Sequence, residues 1–151
     1  MSYVLEREQV IPRPRNELFA FFSDAANLER LTPPSMSFRI KTPQPIPMKP
    51  GTLIDYEIRL FGVPMKWRTL IDVFDPEERF VDEQLRGPYK LWRHTHTFED
   101  VAGGTMVRDH VEYELPLGPL GTIAHAVFVR RQLKTIFDFR AKTMREIFPA
   151  R

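Results

Sequence analysis

The stretch LWRHTHTFED, Leu91 to Asp100, sets Trp92, His94, His96 and Phe98 at every second position and holds two of the chain's four histidines. Alternate side chains of a β-strand share one face, so this strand would aim two imidazoles the same way, between two aromatic rings. Imidazole titrates near neutral pH and ligates metals. Three functional chemistries therefore compete: acid–base catalysis, a metal pair, and orienting contacts in a ligand pocket. A fourth reading is structural, a histidine–carboxylate hydrogen-bond network that fixes strand register.

The neighbouring strands supply the carboxylates. If Phe98 sits opposite Val107 in a hairpin turning at Ala102-Gly103-Gly104, then His96 faces Asp109, His94 faces Val111 and Trp92 faces Tyr113. That register puts every one of these residues on one face, and a one-residue slip undoes it. RFVDEQLRG (79–87) offers Phe80, Asp82 and Gln84 in the same alternation. The expected result is an apolar, aromatic sheet face crossed by a polar stripe: Asp82, Gln84, His94, His96 and Asp109. Polar groups on a buried face are costly unless paired or wet. The stripe thus implies mutual satisfaction, a cavity holding water or ligand, or both.

For catalysis the candidates are His94 and His96, with Asp109 or Asp82 fixing the tautomer of the ring that moves a proton. A metal is not expected. Zinc needs a third ligand beyond a His-X-His pair, the chain has no cysteine, and no spacing rule supports either aspartate. His110 alternates onto the outer face and His125 opens the last helix, so both are expected at the surface.

Several elements must position this stripe. Residues 2–11 alternate as a first strand. ELFAFFSDAANLERL (17–31) has helical spacing broken at Ser23-Asp24, which suggests two short helices. PQPIPMKP (43–50) is an extended loop. From Gly51 the period becomes two: Ile54, Tyr56, Ile58 and Leu60 share a face, and Met65, Trp67, Thr69, Ile71 and Val73 continue it. From about Leu120 to Phe148 one long helix carries a stripe that includes Val129, Leu133, Phe137 and Met144. Arg140 lies near that stripe, where packing at the boundary is expected and reaching a carboxylate at the cavity's edge is the alternative. Arg130, Arg131 and Lys134 read as a solvated face. An antiparallel sheet buried on one side needs a cover, and the long helix is the candidate.

The 151 residues suit a single domain with a real core. Fourteen prolines imply fixed turns, and twelve phenylalanines imply a core or cavity wall built from rings. No apolar, basic-flanked leader and no stretch long enough to span a bilayer is evident, so a cytoplasmic protein without stable membrane insertion is expected. A formal charge of +2 is too small to argue for nucleic acid. Nucleophile-elbow, phosphate-loop and dinucleotide fingerprints are missing, and no cofactor is expected.

With these elements in order, the sequence resembles the START-like (SRPBCC) superfamily over nearly its full length. The resemblance rests on LFAFFSDAANLERLTPP, PGTLIDYEIRLFGVPMKWRTLI, FVDEQLRGPYKLWRHTHTFE, GGTMVRDHVEYELPLGPLG and LKTIFDFRAKTMREIF. Within the superfamily it is most similar to bacterial proteins of the polyketide cyclase/dehydrase-like branch. The resemblance implies an α+β helix-grip fold: about seven antiparallel strands curved around a long C-terminal helix, two short helices after the first strand, and a deep cavity between sheet and helix. Members bind lipids, sterols, polyketides or plant hormones, and some catalyse cyclisation or dehydration.

No catalytic residue set transfers from the resemblance, but positions do. Trp67, Asp82, Gln84 and Trp92 match sheet positions that face the family's cavity, as do His94, His96, Asp109 and Tyr113. Tyr56 on the sheet and Leu133 and Phe137 on the helix complete the expected ligand-binding set. The 43–50 loop and the 116–121 turn are candidates for the cavity rim. The leading expectation is binding of a small, mainly hydrophobic molecule, lipid-like, aromatic or polycyclic. The alternatives are a cyclase/dehydratase-type enzyme using a His/Asp pair, and a protein-interaction or regulatory subunit.

Overall fold

The computed structural model describes residues 2–150. Seven strands form one antiparallel sheet: β1 (Ser2–Ile11), β2 (Arg39–Ile40), β3 (Leu53–Leu60), β4 (Val63–Asp75), β5 (Arg79–Arg86), β6 (Leu91–Val101) and β7 (Gly104–Glu114). Their order across the sheet is β1-β7-β6-β5-β4-β3-β2, so the chain's first strand closes against its last. Two short helices follow β1, α1 (Arg15–Phe22) and α2 (Asn27–Arg30). This is the helix-grip architecture.

The C-terminal helix begins at Gly118 and continues to Ile147, with α3 (Gly118–Ala124) and α4 (Arg130–Ile147) joined by a π-helical turn, His125–Val129. Its buried residues Gly121, His125, Val129, Leu133 and Phe137 recur every fourth position. Four residues overshoot the α-helical turn of about 3.6, so such a stripe would drift around the helix. The wider π turn takes up that drift and keeps the stripe on the sheet.

Helix and sheet bury two main clusters. In the first, Ile58, Trp67, Val111 and Tyr113 of the sheet meet Val129, Leu133 and Phe137 of the helix. In the second, Phe19 and Phe22 of α1 pack with Phe80, Phe98, Val107 and Met144. Polar contacts tie the far edge: Arg7 on β1 donates to Asp138 on α4 at 2.8 Å, and the Gln9 amide donates to the Ala141 carbonyl at 3.0 Å.

Two details depart from simple alternation. A register shift between Ile71 and Val73 adds a residue to β4. Beyond that bulge Phe74, not Val73, packs its ring against Phe19 and Phe80. The 43–50 loop does not reach the cavity described below. Its Ile46 and Met48 instead pack against Ala25, Ile54 and Ile71, because an extended loop with two apolar side chains finds burial against the nearest cluster.

Candidate functional site

The β6–β7 register pairs Phe98 with Val107, His96 with Asp109, His94 with Val111 and Trp92 with Tyr113. Next to it, β5 pairs Asp82 with His94 and Phe80 with His96. The polar stripe therefore converges at the seam between the two clusters. His94 meets the Phe137 ring edge-on, while His96 stacks on Phe80 at 4.0 Å between centroids. The two imidazoles stack on each other at 3.7 Å.

Each imidazole is tied to a different carboxylate. His94 Nε2 lies 2.8 Å from Asp109 Oδ1, and His96 Nε2 lies 2.6 Å from Asp82 Oδ2. From α4, Arg140 brings a cation to the same place. Its Nη2 is 3.6 Å from Asp109 Oδ1 and 3.5 Å from His96 Nδ1. The guanidinium also lies over the Phe22 ring, 5.1 Å from its centroid. Arg140 is thus a member of the buried network: it reaches a carboxylate, the alternative to the expected boundary packing.

These contacts fix the tautomers. With a carboxylate at His96 Nε2 and a guanidinium at His96 Nδ1, the neutral ring carries its proton on Nε2 and turns its lone pair to the arginine. Burial pushes the His96 imidazole down to about 4, with the His94 ring and the Arg140 cation acting in the same sense against the pull of Asp82. Burial alone would raise the Asp109 carboxyl. The Arg140 charge, the His94 hydrogen bond and the two imidazoles outweigh it and hold that group well below the usual carboxylate range. Asp82 is held down likewise, by the His96 hydrogen bond and the charges of His94, His96 and Arg140 against the opposing effect of burial.

His94 differs from His96 in one respect. Its Nε2 is engaged by Asp109, but its Nδ1 lies 3.9 Å from Asp82 Oδ2, beyond hydrogen-bond reach. Among the described residues His94 Nδ1 has no hydrogen-bond partner. Asp82, His94 and His96 also present donor atoms within 4.8 Å of one another. Both Nε2 atoms already face carboxylates, however, and Arg140 supplies positive charge at the same cluster.

Above the stripe lies a cavity of about 130 Å³. Tyr56, Trp67 and Trp92 of the sheet and Leu133 and Phe137 of the helix line it, and Asp82, His94 and Arg140 form its polar end. Met36 and Phe38, on the segment leading into β2, form one side, and Tyr89 joins from the β5–β6 connection. The rim thus comes from 32–38, not from the 43–50 loop or the 116–121 turn. Trp67 is buried at 5% exposure, sandwiched near Tyr56 and met edge-on by Tyr89 and Trp92. Its indole Nε1 has no hydrogen-bond partner.

Four of the expected lining residues take other roles. Gln84 closes the β5–β6 connection: its amide donates to the Tyr89 carbonyl at 2.7 Å and accepts from the Tyr89 N–H at 3.1 Å. It sits near the end of β5, where that turn's backbone groups need partners. His96 and Asp109 lie behind His94 rather than on the cavity wall. Tyr113 pairs its hydroxyl with His125 Nε2 at 2.8 Å.

His125 is itself a correction. It is buried, with Tyr3 stacked on its ring at 3.5 Å, because it falls on the sheet-facing stripe at the start of the π turn. The four-residue spacing from His125 to Val129 and Leu133 was the signal available in the sequence. His110 is on the outer face, 2.9 Å from Glu6.

Comparison with known proteins agrees with this architecture. A protein of Thermus thermophilus superposes with a TM-score of 0.76 at 18% identity, covering 95% of each chain. A Streptomyces aromatase/cyclase superposes with a TM-score of 0.69 at 12% identity, covering 99% of this chain and 98% of that one. Norcoclaurine synthase of Thalictrum gives 0.68 at 14% identity, covering 97% and 96%. At such identities the likeness establishes the fold. No curated protein matches the sequence. The family model described as polyketide cyclase / dehydrase and lipid transport matches residues 11–140. The chain belongs to that family.

Proposed function

We propose that this protein binds a small, mainly hydrophobic molecule in the cavity between sheet and C-terminal helix, with His94 and Trp67 orienting it. The observation that carries this reading is a pair of polar atoms without hydrogen-bond partners, Trp67 Nε1 and His94 Nδ1, on residues lining a mainly apolar cavity with Asp82 and Arg140 at its polar end. Trp67 Nε1 can only donate, and with His94 Nε2 donating to Asp109 its Nδ1 is the atom left to accept. Trp67 Nε1 is the fully buried one of the two, and a buried polar group without a partner costs about 1–3 kcal/mol. A ligand carrying an acceptor oxygen and a hydroxyl would relieve both.

The volume constrains the size. A dry protein cavity of about 150 Å³ holds one benzene ring, and this one is about 130 Å³. It therefore suits a single-ring aromatic alcohol or carbonyl. A lipid-like or polycyclic molecule would have to displace the rim around Met36 and Phe38.

A second reading is favoured by the His94–Asp109 pair. A cavity-lining imidazole whose far nitrogen is held by a buried carboxylate is the arrangement of a general base. In a cyclase or dehydratase, His94 Nδ1 would take a proton from carbon next to a substrate carbonyl, while Asp109 stabilises the resulting imidazolium. The binding reading leads because His94 Nδ1 and Trp67 Nε1 need a ligand whether or not a bond is made or broken.

Both tryptophans of the chain line the cavity, so intrinsic fluorescence reports on it directly. Titration with a one-ring aromatic alcohol such as a 4-alkylphenol is expected to give a saturable change in emission. Trp67→Phe is expected to weaken that binding by about 1 kcal/mol, the net worth of one hydrogen bond. A response that rises linearly without saturation would count against the cavity as the site.

A further inference from the structure

Far from the polar stripe, the first half of the C-terminal helix leaves its outer face apolar. Leu120, Ile123 and Val127 recur at helical spacing and are all exposed. The same line continues into Arg131 and Lys134, which are exposed too. Beside it, Phe128 (56% exposed) meets the tip of the β3–β4 hairpin, where Phe61 (62% exposed) packs its ring at 5.9 Å.

The hairpin tip does not need that phenylalanine for folding. Phe61 and Gly62 are both left-handed, with φ of 54° and 79°. Such two-residue turns favour asparagine, aspartate or glycine at the first position. A phenylalanine there is strained and turned to solvent, with no gain to the core.

Along the first half of the helix and at the hairpin tip the charges have one sign, whereas farther along the same line Lys134 pairs with Asp138 at 2.7 Å. No acidic residue occurs between Glu114 and Asp138, nor between Glu57 and Asp72. Arg59, Arg130 and Arg131 have no carboxylate ion pair among the described residues, whereas Arg7, Arg15, Arg68, Arg79, Arg93, Arg108 and Arg140 each have one. Exposed apolar side chains ringed by free cations match the two layers of a lipid leaflet, acyl boundary below and phosphate headgroups above.

We propose that the helix face around Ile123 and Phe128, with the Phe61 hairpin tip, is a peripheral docking surface for an anionic lipid bilayer. The inference stands apart from the identity of any cavity ligand. No helix of the described residues is long and apolar enough to cross a membrane, so the contact is interfacial. Leu60, next to Phe61, and Leu133, one turn and a half beyond Phe128, line the cavity. Docking would therefore set the cavity's end against the leaflet.

The test uses the full chain and flotation with vesicles of phosphatidylcholine alone, or with about one-third phosphatidylglycerol. Binding is expected only to the mixed vesicles, and it should fall as salt is raised. Arg130→Gln/Arg131→Gln should weaken partitioning roughly twenty-five-fold, about fivefold per cation. Phe61→Ser/Phe128→Ser should weaken it at least about tenfold while leaving the far-ultraviolet circular dichroism unchanged. Three results would overturn the proposal: no binding to mixed vesicles, equal binding of the phenylalanine variant, or a wild-type dimer in sedimentation velocity that this variant turns monomeric. The last would assign the surface to a second copy of the chain.

Discussion

Exchanging Arg140 for methionine is expected to destabilise the protein by about 3–5 kcal/mol, read from urea unfolding at neutral pH. Methionine fills much of the volume and keeps contact with Phe22 and Phe137, so packing alone would cost little. The loss comes from the carboxylates. Asp82 and Asp109 are both held ionised in the interior, and the Arg140 cation is the guanidinium that faces them. Removing it leaves the two carboxylates with their imidazole hydrogen bonds but without the guanidinium countercharge. Adding Asp109→Asn to Arg140→Met is expected to recover a large part of the loss, because the pair is then removed together. If the single variant is as stable as wild type, the charge network is not what holds the seam between the two clusters.

Acid is expected to weaken the fold well before the carboxylates titrate. His96 has a folded value of about 4 against 6.5 for the free side chain. A lowered imidazole means that the unfolded chain takes up the proton first as pH falls. Its contribution is intact above 6.5, is lost between 6.5 and about 4, and changes no further below that. The size is about 3 kcal/mol, at about 1.36 kcal/mol for each unit of difference. His125, also held down by burial and the nearby Arg130 charge, acts in the same sense. Below about 4 the depressed carboxyls of Asp82 and Asp109 take over, and their stabilisation is lost as they protonate. Urea midpoints measured across this range should fall steeply for the wild type. His96→Gln should flatten most of the upper part, and His110→Gln, on the outer face, should leave it alone. A wild-type curve level down to pH 4 would contradict the assignment of His96 as a neutral buried ring.

Much of the site could be read from alternation. Pairing His96 with Asp109 follows once the hairpin turn is placed at Ala102–Gly104, because a period of two admits one register that keeps Trp92, His94 and Phe98 on the same face. A sheet covered by the long helix follows from a run of antiparallel strands ending in one amphipathic helix, while the helix-grip layout is what the family resemblance implies. What alternation could not convey is distance along a third direction. Gln84 is on the same face as Asp82, yet it sits two residues nearer the strand end and serves a turn. His96 and Asp109 share the face with His94, yet the helix covers them and leaves His94 at the cavity.

The helix was harder still. Arg140 follows Leu133 and Phe137 and precedes Met144 at spacings of three and four, so it was on the stripe all along. Its charge argued for a boundary, and only the convergence of two carboxylates from β5 and β7 makes burial affordable. His125 was misplaced for a related reason. Its partners Tyr3 and Tyr113 lie on β1 and β7, more than ten residues away in sequence, and nothing local announces them. The unpartnered Trp67 indole is also a property of the assembled cavity: neither the β4 sequence nor its period distinguishes a satisfied ring from an orphaned one.

Native mass spectrometry of the purified protein asks directly whether the cavity holds a small molecule. An occupied cavity gives a species heavier than the bare chain by the mass of one small molecule. That species should disappear under denaturing conditions, and solvent extraction should yield an apolar compound carrying an oxygen. Trp67→Phe should carry less of it. The contrary result is a protein at its bare mass from every preparation, which also shows no saturable change in tryptophan emission with single-ring aromatic alcohols or carbonyls. In that case the unpartnered atoms of His94 and Trp67 would answer to water, and the cavity would be a packing defect.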